Sequence, residues 1–268
     1  MTAFAATARY ELRMQLHKPA IWIATAIPFG LFAVLALMET QRGGLERLTQ
    51  DTNAKLWMVE AMGWFTAPLA MVFGMVLADR LVRDRKLGVA ALLDVTPTNR
   101  SARLAGKYLG TCAATAIPPA LIYLVVAVAF AVWRDKPSAL LWGAATFAVL
   151  VLPLLLLAGA LAFLGPQLMP TPLFRVLVVG LWFYAGATEV DSELPSPAAT
   201  VLSLTLDYPQ KVFFGSTDAT AGPFQGAALN FLRPQPTTAT ALLALALILG
   251  LAAAIVVAAR ALNARTGE

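Results

Sequence analysis

The chain has 268 residues, 59% of them hydrophobic and 13% charged, with a net charge of +5. Its mean hydropathy of +0.72 lies outside the range of water-soluble domains and places it in a bilayer. The positive charge then belongs to loops on one membrane face, and nucleic acid is not an expected partner. The single cysteine, Cys112, excludes an intramolecular disulfide and a multi-thiolate metal site, and the single histidine, His17, excludes multi-histidine sites.

The expected fold is an all-α membrane protein with six transmembrane helices and no separate soluble domain. Residues 1–18 read as a weakly amphipathic helix, with Leu12 and Leu16 on one face and Arg9, Arg13 and His17 four apart on another. Such a helix lies in the headgroup plane, with Arg9, Arg13, His17 and Lys18 toward lipid phosphates. A cleaved leader fits poorly, because Glu11 and a long basic lead precede the apolar run. The first span covers about residues 20–38, with Trp22 near its inner interface. Residues 39–56 are polar and include Gly43 and Gly44, an outer loop. The second span, about 57–78, carries Trp57, Glu60 and Trp64 toward its outer end. Glu60 is a candidate for the transport path, with a merely interfacial carboxylate as the alternative.

Residues 79–110 form a charged island between apolar runs. Arg80, Arg83, Arg85, Lys86, Arg100, Arg103 and Lys107 stand against Asp79, Asp84 and Asp94, and lysine and arginine concentrate in short cytoplasmic loops. Its apolar middle, Leu87 to Leu93, is able to form a short helix; Pro97 stops it, and Thr98, Asn99 or Ser101 can cap the next one. The third span, about 107–133, contains Pro118 and Pro119, expected to kink it or to free backbone carbonyls. Gly106 and Gly110 form a small-xxx-small pair that invites the close approach of another helix. A tight turn at 134–138 leads to the fourth span, about 139–164, and residues 165–172, GPQLMPTP, break the chain.

The fifth span, about 173–188, begins with Arg175, placed to snorkel to the inner headgroups. It also carries Trp182 and Tyr184, which either line a path or face lipid and neighbouring helices. Between residues 190 and 238 two apolar stretches, 198–206 and 224–232, are too short to cross and suit re-entrant or interfacial helices. The sixth span, about 239–259, is uncharged, with Arg260 and Arg265 beyond it. In this layout the island side holds Arg9, Arg13, Lys18, the seven island cations, Arg175, Arg260 and Arg265, thirteen in all. The other side holds seven, so the island, both termini and the cytoplasm share one side of the cell membrane.

The island order Asp-Arg-Leu-x-Arg-Asp-Arg-Lys-Leu-Gly-Val at 79–89, Leu-Leu-x-x-Thr-Pro at 92–97 and Gly-Lys-Tyr-Leu-Gly at 106–110 resembles the permease subunits of type-2 ABC exporters. The run from Tyr10 to Trp22 is similar to the elbow helix of that family. The resemblance implies that the island carries a coupling helix docking on an ATP-binding subunit, with Arg80, Arg83, Arg85, Lys86 and Asp94 orienting it and Leu87, Val89, Leu92 and Leu93 as its apolar contact. It also implies a pair of short helices between the fifth and sixth spans. Ala90 and Ala91 depart from the family, which often has an acid before the paired leucines.

No GxxxxGK[ST] segment is present, so the chain has no such cradle for ATP. ATP and magnesium are expected on the partner subunit, with a second permease copy or paralogue completing the path, and no cofactor or catalytic residue on this chain. An uncharged path favours an amphiphile, such as a lipid, lipid-linked glycan, peptide or drug. An intramembrane enzyme would need a nucleophile with a base, or a metal cluster, at membrane depth. A non-transporting scaffold or immunity protein would share the topology but has no reason to carry the island motif.

Overall fold

A computed structural model of the protein describes residues 3–40, 53–78, 100–187, 195–224 and 229–265. The described residues are mostly helical, with no strands among them. Helix α1 spans Ala3–Leu16, α2 Pro19–Thr40, α3 Ala54–Leu77 and α4 Arg100–Arg134. Helix α5 runs over Ser138–Leu168, α6 over Thr171–Ala187 and α7 over Thr238–Arg265. Three of them, α4, α5 and α7, are long and apolar enough to cross a bilayer.

Helix α5 is the centre of the bundle. Of its most apolar stretch, 61% is buried in protein, against 22% for α7. Leu150, Leu154, Leu157 and Phe163 of α5 meet Val59 and Ala70 of α3, Val178 and Trp182 of α6, and Ile248 and Ala252 of α7 in one core. A second core joins Ile21 of α2, Phe65, Leu69 and Phe73 of α3, and Tyr123 of α4, with the Phe29 and Phe65 rings stacked 4.0 Å apart. The outward faces are also apolar: Val125 of α4, Val176 of α6 and Val257 of α7 are each more than 60% exposed. A protein in water would leave such helix faces polar; here hydrocarbon is the natural solvent for them, and the chain is a membrane protein.

Local sequence explains where helices bend and stop. Helix α4 runs through Pro118 and Pro119 without interruption, and Asp135, in a left-handed conformation (φ 53°), turns the chain into α5. Midway along α5, residues Phe147–Val151 form a wider π turn in which the Leu152 amide reaches the Phe147 carbonyl. The turn immediately precedes Pro153, whose ring removes one amide from the ladder. Met169 is extended and ends α5 before Pro170.

Helix α1 lies along the N-terminal part of α4. The contact passes through Gly106 and Gly110, as the small-xxx-small spacing predicts, with the amphipathic helix as the visitor. A Cβ on Gly106 would stand 2.7 Å from the Phe4 carbonyl oxygen, and one on Gly110 would stand 2.5 Å from that of Ala8 and 2.9 Å from the Glu11 Cβ. Only glycine permits this approach. The amphipathic reading of α1 needs one correction: the stripe that meets the bundle buries Glu11 and Gln15, while Leu12 and Leu16 are half-buried. Helix approach through glycines selects the residues opposite them, whatever their polarity. At its end the His17 ring bonds the Arg13 carbonyl and the Trp22 indole donates to the Leu16 carbonyl at 2.9 Å, covering orphan acceptors.

Gly110→Leu is therefore expected to destabilise the protein by about 1–3 kcal/mol and to speed proteolysis at Arg9 and Arg13. Gly180→Leu, where a side chain meets nothing within 4 Å, leaves both unchanged. Thermal unfolding in detergent and limited trypsin digestion read the two effects.

Candidate functional site

Near the end of α3 remote from α1, a cavity of about 470 Å³ lies between α3, α6 and the segment 195–224. Val59, Glu60, Gly63, Pro68 and Met71 of α3 line it, with Trp182 and Phe183 of α6. Thr205, Asp207, Gln210, Ser216, Asp218 and Ala219 complete the wall. Its size and its mix of apolar surface with a few polar groups fit a small-molecule site.

The segment that closes the cavity is built from turns. The expected helix over 198–206 is absent: those residues form successive tight turns, with Ala199 and Leu206 in the left-handed region at φ 57° and 58°. Helical turns follow instead at Asp207–Pro209 and Gln210–Phe214. Of the second expected helix, residues 224 and 229–232 are described, and they contain a single turn at Asn230–Leu232. The reason is local. The Thr200 hydroxyl donates to the Pro197 carbonyl at 2.7 Å and accepts from the Leu202 amide at 3.1 Å, and Ser203 accepts from the Thr205 amide. Such short side chains compete with the helical ladder.

Two buried charged residues hold the turns together. Asp207 accepts from the Ser203 hydroxyl at 2.6 Å, the Thr205 hydroxyl at 2.8 Å and the Ala199 amide at 3.2 Å. Arg233 is 2% exposed and donates to the carbonyls of Ser196 at 3.1 Å and Ala198 at 3.0 Å. The Tyr208 hydroxyl donates to the Pro234 carbonyl at 2.7 Å, and the Val201 amide to the Leu232 carbonyl at 3.0 Å. Burial pushes the Asp207 carboxyl above its ordinary value of 3.8; the Ser203 and Thr205 hydroxyls, the Ala199 amide and the Lys211 charge offset this in part.

Of the residues predicted for the transport path, two come together. Glu60 and Trp182 line the same cavity; Glu60 accepts from the Thr217 hydroxyl at 3.2 Å, and Trp182 is 3% exposed with a buried indole N–H that has no partner among the described residues. Tyr184 stands apart, donating from its hydroxyl to the Pro195 carbonyl, which ties the start of the turn segment to the end of α6. At the other end of α6, Arg175 is half-buried and its Nε donates to the Met75 carbonyl of α3 at 3.3 Å. It serves as a link between helix ends rather than only as a headgroup anchor. Asp207, Gln210 and Asp218 escaped the sequence reading; the alternation Ser203, Thr205, Asp207 was the available signal for a hydrogen-bonded turn.

Arg9, Arg13 and His17 are exposed along α1, with Lys18 half-buried at the turn into α2. The island residues Arg80, Arg83, Arg85, Lys86, Leu87, Val89, Leu92, Leu93 and Asp94 lie outside the described residues. Among the described residues no group of three or more acidic, histidine or cysteine side chains is placed to hold a metal. Fold and cavity thus define a helical membrane protein with a partly open, mostly apolar pocket edged by carboxylates. Comparison with protein-family models, with curated proteins and with solved structures found no match.

Because folded Asp207 holds its proton more tightly than the unfolded chain does, the stability it contributes is greatest in acid and falls as pH rises above 3.8. Asp207→Asn is expected to flatten that slope, and Asp207→Ala to cost about 1–3 kcal/mol by stranding its donors. Melting temperatures across a pH series check both; an Asn variant that parallels the wild type at every pH contradicts the assignment.

Proposed function

We propose that the chain is the membrane-spanning permease subunit of an ATP-driven exporter of the type-2 ABC class. In this reading α2 to α7 are six spans in the cell membrane, α1 lies in the cytoplasmic headgroup plane, and both termini are cytoplasmic. At 22 and 24 residues, α2 and α3 would measure about 33–36 Å, enough for a hydrocarbon core of about 30 Å. The chain supplies half of a path completed by a second copy or a paralogue. A separate subunit binds and hydrolyses ATP with magnesium; this chain is not itself catalytic.

The observation that carries the reading is the seating of α1 on Gly106 and Gly110, in the helix whose first turns form the end of the island. A force applied to the island by a partner would reach α4 and α1 together, because the glycine contact leaves no slack between them. At the far side of the bundle, the turns of residues 195–224 form one wall of a cavity, as part of an outer gate would. The thirteen-to-seven division of basic residues supports the orientation, and the docking contact is assigned to Leu87, Val89, Leu92 and Leu93, oriented by Arg80, Arg83, Arg85, Lys86 and Asp94.

Two experiments test the proposal. Leu92→Asp with Leu93→Asp is expected to abolish co-purification of the ATP-binding partner subunit, or to leave its ATP hydrolysis uncoupled from transport; full co-purification with normal transport would overturn the docking assignment. In a Cys112→Ala background, a cysteine at Asn99 is expected to resist an impermeant maleimide added to intact cells and to react after lysis. Labelling from outside would invert the topology.

A further inference from the structure

We propose that the cavity between α3, α6 and the turn segment binds an amphiphile with a cationic head, held by Glu60 and Asp218 against the aromatic wall of Trp182 and Phe183. This deepens the exporter reading, on which the ligand is the cargo, but the binding site itself stands on the cavity.

The acids differ in what they already do. Asp207 is enclosed by three donors from its own segment, with Lys211 close by, so its role is structural. Glu60 and Asp218 line the same cavity from different elements: Glu60 from α3, where Thr217 fixes one of its oxygens, and Asp218 from the residue next to Thr217. The remaining wall is dominated by Val59, Pro68, Met71, Trp182 and Phe183. Apolar surface and aromatic faces beside carboxylates suit an organic cation, which aromatic rings attract and hydrocarbon surface desolvates at little cost; a small hydrated ion would lose its water for too few oxygens. Trp182 adds a second observation. Its side chain is packed into the wall and 3% exposed, so the aromatic ring is held in place to meet an organic cation rather than having to be ordered by it.

The test uses the full chain in phosphatidylcholine nanodiscs, with tetraphenylphosphonium and tetraphenylborate as probes of one shape and opposite charge. The expected result is saturable binding of the phosphonium at one per chain, above that of empty nanodiscs and about tenfold or more tighter than the borate. Glu60→Gln with Asp218→Asn is expected to weaken it about tenfold, and Glu60→Lys to reverse the preference toward the borate, a gain that misfolding does not produce. Absence of a saturable component, or equal binding by the wild type and the double variant, would overturn the proposal. No ATP-binding partner is needed for this measurement. Selective binding with no such partner ever found would keep the site and remove the exporter, and a coupled partner with no cation preference would do the reverse.

Discussion

Backbone that leaves the helical ladder must find its hydrogen bonds elsewhere, and that requirement decides how residues 195–224 and 229–236 are built. Asp207 gathers two hydroxyls and an amide, while Arg233 receives the carbonyls of Ser196 and Ala198. One residue thus satisfies donors and the other acceptors of the same stretch of turns, 196–207. Both ends of the segment are fixed as well, through Tyr184 to Pro195 and through Tyr208 to Pro234. The result is a cap of turns whose underside is cavity wall.

The cap and the opposite end of the bundle communicate through α3 and α6. Glu60 lies in the second turn of α3 and meets Thr217 of the cap, whereas Met75, in its last turn, accepts from Arg175 of α6. Helix α6 is therefore held at its start by α3 and at its end by the cap. Trp182 and Val178 fill the interval as part of the main core. A tilt of α3, which itself lines the cavity, would therefore either carry α6 with it or strain the Arg175 link.

Much of this plan was readable in the residues. Apolar runs locate the long helices, GPQLMPTP locates the break after α5, and the Gly106–Gly110 spacing foretells a close helix neighbour. The neighbour's identity was not readable, because Glu11 and Gln15 form a polar stripe that periodicity assigns to solvent; burial here follows from the absence of side chains on the facing helix. The stretch 198–206 misled for a related reason. Its Ala, Val and Leu content reads as a short apolar helix, yet Thr200, Ser203 and Thr205 redirect its backbone into turns. The cavity joins α3, α6 and a distant loop, and no local pattern announces a site assembled over such separations. Glu60 and Trp182 stood out only as unusual residues for their setting.

The π turn before Pro153 acts as one surplus residue in the frame of α5. An α-helix advances by about 100° per residue, so everything from Leu154 to Phe163 is rotated by roughly that angle relative to an uninterrupted continuation of Ala139, Gly143 and Thr146. The two halves of the central helix consequently differ in their neighbours. The first meets the ends of α3 and α4, where Ala139 packs with Met58 and Phe130; the second keeps Leu155 against α3 and α4 and adds contacts with α6 and α7. A single extra peptide unit lets one rod serve two sides of the bundle.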